Sequence, residues 1–265
     1  MSYTILGCIT KYSPEDIKPY INSINMSGFT GRKVMLVYDV PPNTIEYLKE
    51  NGWELYGGRL QEHIILQRFR DVYKLLQGFD PREVIIWTDV KDVVFQVDPS
   101  VWLEQNKKKE ILACSESIIF KNESWAVVNA GTSFPLEWEW LQNEISYCAG
   151  CIVADAVALK DLFIEIYHWS KDTANPGQLS DQAAYNVLIH LNHFKENVQF
   201  VAQEEGLATQ LGTVVKYKDS GLLEEPSPYV EAGVICNQKG VPFSIVHQYD
   251  RFPNFKSVIL NRYRK

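Results

Sequence analysis

No stretch of this 265-residue chain approaches the run of roughly 18 apolar residues that a membrane-spanning helix requires. A basic surplus is missing too. With 26 lysines and arginines against 33 aspartates and glutamates the net charge is −7, which argues against nucleic acid or an anionic membrane as partner. The opening "MSYTILGCITKYSPED" carries an apolar stretch with no basic segment before it, so it reads as a strand and not a secretion signal. Cysteines number five, an odd count that fits a reducing compartment and a soluble, cytoplasmic protein. Cys148 and Cys151 form a C-x-x-C, "CAGC", but no second pair stands at zinc-site spacing. The segment reads as strand, where a redox pair would want a helix N-terminus, so buried thiols are expected. Repeats, low-complexity tracts and Gly/Ser linkers are absent, and a single domain over 1–265 follows.

What is present is an alternation. "YTILGCIT", "RKVMLVYD", "WELYGG" and "EVIIWTD" read as short strands. Between them lie three amphipathic helices: "SPEDIKPYINSIN", starting at Ser13 with Pro14 in first position, "PPNTIEYLKENG", closed by Gly52, and "HIILQRFRDVYKLLQGF". Mostly apolar strands alternating with helices imply a parallel sheet covered on both faces. In such sheets ligands collect where the strands end, and Thr10, Asp39 and Asp89 stand at such ends. The second half is less regular. "EILACSE" is a strand, and the tryptophan-rich segment after it has no clean period. "CAGCIVADAVALKDLFIEIYHWSKD" reads as strand, turn and helix, and "LSDQAAYNVLIHLNHF" as a helix with Ser180 or Asp181 near its N-cap. The tail "GVICNQKGVPFSIVHQYDRFPNFK" reads as a β-hairpin followed by a loop.

One stretch demands an explanation. In "REVIIWTDVKDVVFQVDP" a buried strand runs straight into Asp89, and Asp92 follows after only Val90 and Lys91. Asp89 could cap a turn while Asp92 sits in solvent. Yet apolar sequence returns at once, so the turn is pinned on both sides. Two carboxylates on such a turn can point at one spot, as oxygen ligands of a hard divalent cation do. His247, ending the apolar run in "SIVHQYDR", is a candidate third ligand.

With these segments in order, the sequence resembles the GT-A-fold glycosyltransferases. "IIWTDVKDVVFQVDP" looks like their D-x-D metal motif, here a D-x-x-D because Lys91 takes the middle place. "TILGCIT" resembles the first nucleotide-binding strand, "QRFRDVYKLL" the helix whose arginine precedes the motif, "LSDQAAYNVLI" the D-Q helix and "GVPFSIVHQYDR" the late histidine segment. Cys148 is a departure, standing where relatives often carry Asn. The resemblance implies an α/β, Rossmann-like fold with a mostly parallel central sheet, helices on both faces and an elaborated C-terminal part. It implies a nucleotide-binding half at about 1–115 and an acceptor-side half at about 116–265.

It further implies Mn²⁺ or Mg²⁺ held by Asp89, Asp92 and His247, neutralising the charge that builds on a departing diphosphate. Arg68, Arg251 and Lys256 would reach the phosphates, and Thr10, Lys11, Tyr12 and Asp39 the base and ribose. Asp181 is the first candidate for the catalytic base and Glu116 the second. Trp125, Trp138 and Trp140 could form an acceptor platform or fill the core. The expected activity is metal-dependent transfer from a nucleotide-sugar, a UDP-sugar first, to a carbohydrate acceptor. A sugar-nucleotidyltransferase is the alternative, although "GCITKYS" lacks the glycine-rich loop it needs. A non-catalytic nucleotide- or glycan-binding module of the same fold is another, with no need of both aspartates and the histidine.

Overall fold

The computed structural model describes residues 1–173 and 180–264. Its first half follows the expected alternation: β1 (Tyr3–Thr10), α1 (Pro14–Ser27), β2 (Arg32–Tyr38), α2 (Pro42–Glu50), β3 (Glu54–Gly58), α3 (Ile64–Leu76) and β4 (Val84–Thr88). The Ser13 hydroxyl accepts from Asp16 N at 3.4 Å and the Asp16 carboxylate accepts from Ser13 N at 2.9 Å, a reciprocal cap that starts α1. At the end of α2, Asn51 caps the helix and Gly52, at φ 74°, turns the chain into β3.

The second half contains β5 (Val93–Phe95), α4 (Pro99–Asn106), β6 (Ile111–Ile119), α5 (Ser124–Ser133), α6 (Pro135–Leu141), β7 (Ile145–Asp155) and α7 (Ala156–Lys171). There follow α8 (Asp181–His190), α9 (Asn192–Lys195), β8 (Val198–Val201), β9 (Ala208–Gln210), α10 (Leu211–Val214), β10 (Tyr229–Glu231), β11 (Val234–Cys236), β12 (Ile245–His247) and α11 (Pro253–Tyr263). The Leu179 that opened the expected helix around α8 lies outside the described residues.

Seven strands form one sheet in the order β3-β2-β1-β4-β7-β6-β8. It is mostly parallel, with β7 antiparallel to both β4 and β6. The period of two decides which side chain faces which layer. Leu6, Ile85 and Trp87 pack with Phe69 of α3 and Phe163 of α7, while Ile5, Ile9 and Ile86 pack with Ile17 and Tyr20 of α1. A smaller sheet, β5-β12-β9, joins the segment after β4 to the C-terminal part.

Three expectations need correction. β7 begins at Ile145 and passes into α7 with no intervening turn. Val234–Cys236 pairs with Tyr229–Glu231, and meets the arm after it only around the turn, through the Cys236–Pro242 bridge and bonds from Asn237 N to Val241 O at 3.0 Å and Phe243 N to Ile235 O at 3.2 Å. Apolar Ile245–His247 instead leaves to pair with β5 and β9, which buries it on both edges. Finally, the expected loop after His247 is a short 3-10 turn (Tyr249–Arg251) and then α11, started by Pro253 and docked on α1, where Asn22 Nδ2 donates to Tyr263 O at 2.8 Å.

Candidate metal centre and adjoining pocket

Asp89 is the first residue beyond β4, and its N–H donates to Gly150 O at 2.9 Å, one step past the β4–β7 ladder. Val90 is buried in the α1-side core and anchors the turn. Asp92 then leads into β5, whose Val93 lies opposite His247 in the antiparallel pairing. Gln248 N donates to Asp92 O at 2.8 Å and Tyr249 Oη to Lys91 O at 3.2 Å. Strand pairing thus carries the late histidine to the two aspartates.

His247 Nε2 lies 3.5 Å from Asp92 Oδ1 and 3.7 Å from Asp89 Oδ2, and one ligand atom from each residue falls within 4.8 Å of the others. The backbone makes room for this cluster. A Cβ on Gly150 would stand 2.6 Å from Asp89 Oδ2 and 2.8 Å from His247 Cε1. The far ring nitrogen, Nδ1, lies 2.7 Å from Gln210 Oε1 and 3.4 Å from Cys148 Sγ. An amide oxygen only accepts, so Nδ1 carries a proton, and in its neutral form the ring offers Nε2 toward the carboxylates. Two carboxylate oxygens and one imidazole nitrogen are a donor set that suits Mn²⁺ or Mg²⁺. Burial pushes His247 toward its neutral form, but the Asp92 carboxylate outweighs it and raises the imidazole well above its ordinary range. For Asp92, burial works upward and the His247 cation, then Arg251, hold it below the usual carboxylate value.

Arg68, on α3, is shared between carboxylates. Its Nη1 donates to Asp89 Oδ1 at 2.7 Å and its Nη2 to Asp181 Oδ2 at 2.9 Å. The guanidinium lies 4.9 Å from the Phe69 ring centre and 5.6 Å from that of Trp87. Both terminal nitrogens of Arg68 are thus engaged, and Asp89 Oδ2 is left facing His247. Asp181 opens α8 without a side-chain capping bond, the cap position being Ser180. Burial raises its pKa and Arg68 draws it back.

Beside the Asp89–Asp92–His247 cluster lies a pocket of about 290 Å³, lined among others by Glu116, Trp125, Gln182, Gln248 and Arg251. Glu116 is buried on β6, accepts from Ser146 Oγ at 2.6 Å and Gln182 Nε2 at 3.0 Å, and has its pKa pushed up by burial. Arg251 makes no ion pair among the described residues. Trp125 is half exposed at this pocket, whereas Trp138 and Trp140 pack against the core. Lys256 is exposed on α11 and does not line the pocket.

At the other strand ends, Lys11 (φ 56°) and Asp39 (φ 49°) both hold left-handed backbone, and Lys11 N donates to Tyr38 O at 3.2 Å. Thr10 Oγ1 is buried with no hydrogen-bond partner among the described residues. The Tyr12 ring centre lies 5.6 Å from Lys91 Nζ of the aspartate turn. Thr10, Lys11, Tyr12 and Asp39 thus share the sheet end that carries the cluster. Cys148 and Cys151, an odd number of residues apart on β7, face opposite sides: Cys148 meets His247, and Cys151 Sγ lies 4.0 Å from Cys114 Sγ. All five cysteines are free.

Residue patterns missed several members of the site. Gln182 and Gln248 stood next to flagged residues and were passed over. Gly150, Gly212 and Gln210 carry no local signal, since their importance lies in what folds against them.

Among the described residues no helix is long and apolar enough to cross a membrane. No protein-family model matches the chain, and no curated protein sequence does. Solved structures do match. The galactosyltransferase LgtC, solved in complex with donor and acceptor sugar analogs, superposes with a TM-score of 0.62 at 11% identity, over 97% of this chain and 95% of LgtC. WbbM, a bifunctional glycosyltransferase, gives 0.62 at 14% identity over 93% of this chain and 45% of WbbM. The glycosyltransferase GlyE of Streptococcus pneumoniae TIGR4 gives 0.59 at 13% identity, over 98% of this chain and 60% of GlyE. The chain therefore has the fold of the GT-A glycosyltransferases.

Proposed function

We propose that this protein is a metal-dependent glycosyltransferase that moves a sugar from a nucleotide-sugar, a UDP-sugar first, to a hydroxyl of a glycan or glycoconjugate. The observation that carries the reading is the convergence of Asp89, Asp92 and His247, with a ligand atom from each inside 4.8 Å, at a strand end that adjoins a pocket. A bound Mn²⁺ or Mg²⁺ supplies positive charge to the diphosphate of the leaving group. Arg68 and Gln210 hold Asp89 and His247 in their ligating orientations. Arg251, in no ion pair among the described residues, stands at the pocket wall beside Gln248, and Lys256 reaches the phosphates only if α11 shifts. Thr10, Lys11, Tyr12 and Asp39 serve the base and ribose in a nucleotide half of about 1–115. Glu116 and Trp125 serve the acceptor in the half from about 116.

Of the two carboxylates considered for proton transfer, Glu116 lines the pocket while Asp181 is engaged by Arg68. Glu116 is therefore the better-placed group, and its upward-shifted pKa suits a proton acceptor.

Incubation with Mn²⁺ and a panel of UDP-, GDP- and dTDP-sugars tests the reading. Release of the nucleoside diphosphate supports it. Formation of a nucleoside triphosphate and a sugar 1-phosphate on addition of pyrophosphate would identify a nucleotidyltransferase, and donor binding without turnover across acceptors a non-catalytic module.

A further inference from the structure

Three independent features meet at Gln248. It is a non-glycine residue in left-handed backbone, φ 61° and ψ 30°, held there by its N–H bond to Asp92 O at 2.8 Å. Such a conformation is costly for a residue with a Cβ and persists where the surroundings impose it. Its side chain lines the pocket and is only 7% exposed, yet its Oε1 is buried with no hydrogen-bond partner among the described residues. A buried carbonyl without a donor is expensive, so an unfilled acceptor on a side chain that lines a cavity points to a ligand that fills it. The third feature is across the pocket. A Cβ on Gly212 would overlap Gln248 Oε1 and come within 2.5 Å of Arg251 Nη1. The missing side chain of α10 is what admits an acceptor and a donor, side by side, to one wall.

That pairing selects a chemistry. A phosphate oxygen accepts from Arg251 but offers nothing to an amide oxygen. An ammonium group donates to the amide but is repelled by the guanidinium. A hydroxyl does both, donating to one and accepting from the other. We infer that Gln248 and Arg251, set against Gly212, read one hydroxyl of a pyranose in this pocket and so determine which sugar the protein takes. The inference rests on the glycosyltransferase reading and deepens it. The hydroxyl belongs either to the transferred sugar or to the acceptor, and the two are separable by experiment.

The test is calorimetric binding with Mn²⁺ present, using UDP, a set of UDP-hexoses, and methyl hexosides added to the UDP complex. Gln248→Met keeps the length of the side chain and removes its carbonyl. It should weaken one class of sugar probe about 10-fold or more while leaving UDP unchanged. Loss confined to UDP-hexoses assigns the hydroxyl to the transferred sugar, and loss confined to methyl hexosides assigns it to the acceptor. Gln248→Gly accepts the positive φ freely, so it should melt no lower than wild type and still lose the sugar, which a merely structural glutamine would not do. The pair is overturned if Gln248→Met binds every sugar probe as wild type does, or if UDP weakens equally, since Gln248 then acts through Asp92. It is also overturned if wild type binds UDP but prefers no hexose over UDP and takes up no methyl hexoside. A wild-type chain that fails to bind UDP itself would instead sink the reading beneath it.

Discussion

Replacing Arg68 with methionine keeps the aliphatic stem over Phe69 and Trp87 and removes the charge that two carboxylates share. Asp181, at 8% exposure, is then a buried acid with no counter-charge. Removing one partner of a buried pair costs about 3–5 kcal/mol. Arg68 Nε is itself buried with no hydrogen-bond partner among the described residues, and its loss offsets part of the penalty. The lower end, about 3 kcal/mol, is therefore expected, or a drop of about 6–12 °C in Tm for a chain of this size. The sign with pH follows from Asp181. Burial already raises its folded pKa, and losing Arg68 raises it further. A raised carboxyl keeps its stability below the unfolded pKa and loses it as pH rises through the folded value. The penalty should thus be small in mild acid and full at neutral pH. Adding Asp181→Asn should recover at least half of it. Because Asp89 loses its orienting partner, Mn²⁺ affinity should also fall about 10-fold. Thermal melts of the single and double variants, at two pH values, check the energetics. A wild-type Tm for Arg68→Met, or losses that simply add in the double variant, would refute the clamp.

Gly150→Ala places a methyl group 2.6 Å from Asp89 Oδ2, so Mn²⁺ binding should weaken sharply for a stability cost of about 1–3 kcal/mol, and unchanged affinity by titration would mean the cluster is not a metal site. His247, raised well above its ordinary range, stabilises the metal-free protein below its unfolded pKa, and this contribution fades as pH rises through the folded one. Mn²⁺ must displace that proton, so binding should release a proton and strengthen with rising pH; calorimetry in buffers of different ionisation enthalpy reads it, and zero proton release contradicts it. Tyr12→Ala should weaken UDP itself by about 1 kcal/mol, and a bound-state structure with the uracil away from Tyr12 would exclude the stacking role.

The aspartate turn was legible because its signal is local: a strand of apolar residues, two acids, and apolar sequence again leave few arrangements. The first-half alternation was legible for the same reason, β1, β2 and β4 being short, largely buried apolar runs. The helix α11 was not. In Pro253–Tyr263 only Ile259 and Tyr263 are buried, too sparse a stripe to stand out as a helical period. In α5 the signal is inverted, because Trp125 and Val128 face outward. The site's supporting residues were hidden for a different reason. Arg68 reaches Asp181 across 113 positions, and Gly150 and Gly212 matter through side chains they lack. Those facts exist only after folding. Arg68 and Asp181 were each singled out through the resemblance, but their pairing with each other and with Asp89 appears only in the fold.

The most direct test of the central claim is titration of Mn²⁺ into wild type, Asp92→Asn and His247→Ala, each alone and with UDP or uridine. Wild type should bind Mn²⁺, with UDP and the ion strengthening each other. Both variants should keep a cooperative melt and lose the ion and that mutual gain, while uridine, which has no diphosphate, binds all three proteins alike. Mn²⁺ binding that survives in both variants, or a uridine loss equal to the UDP loss, would contradict a metal centre built from Asp89, Asp92 and His247.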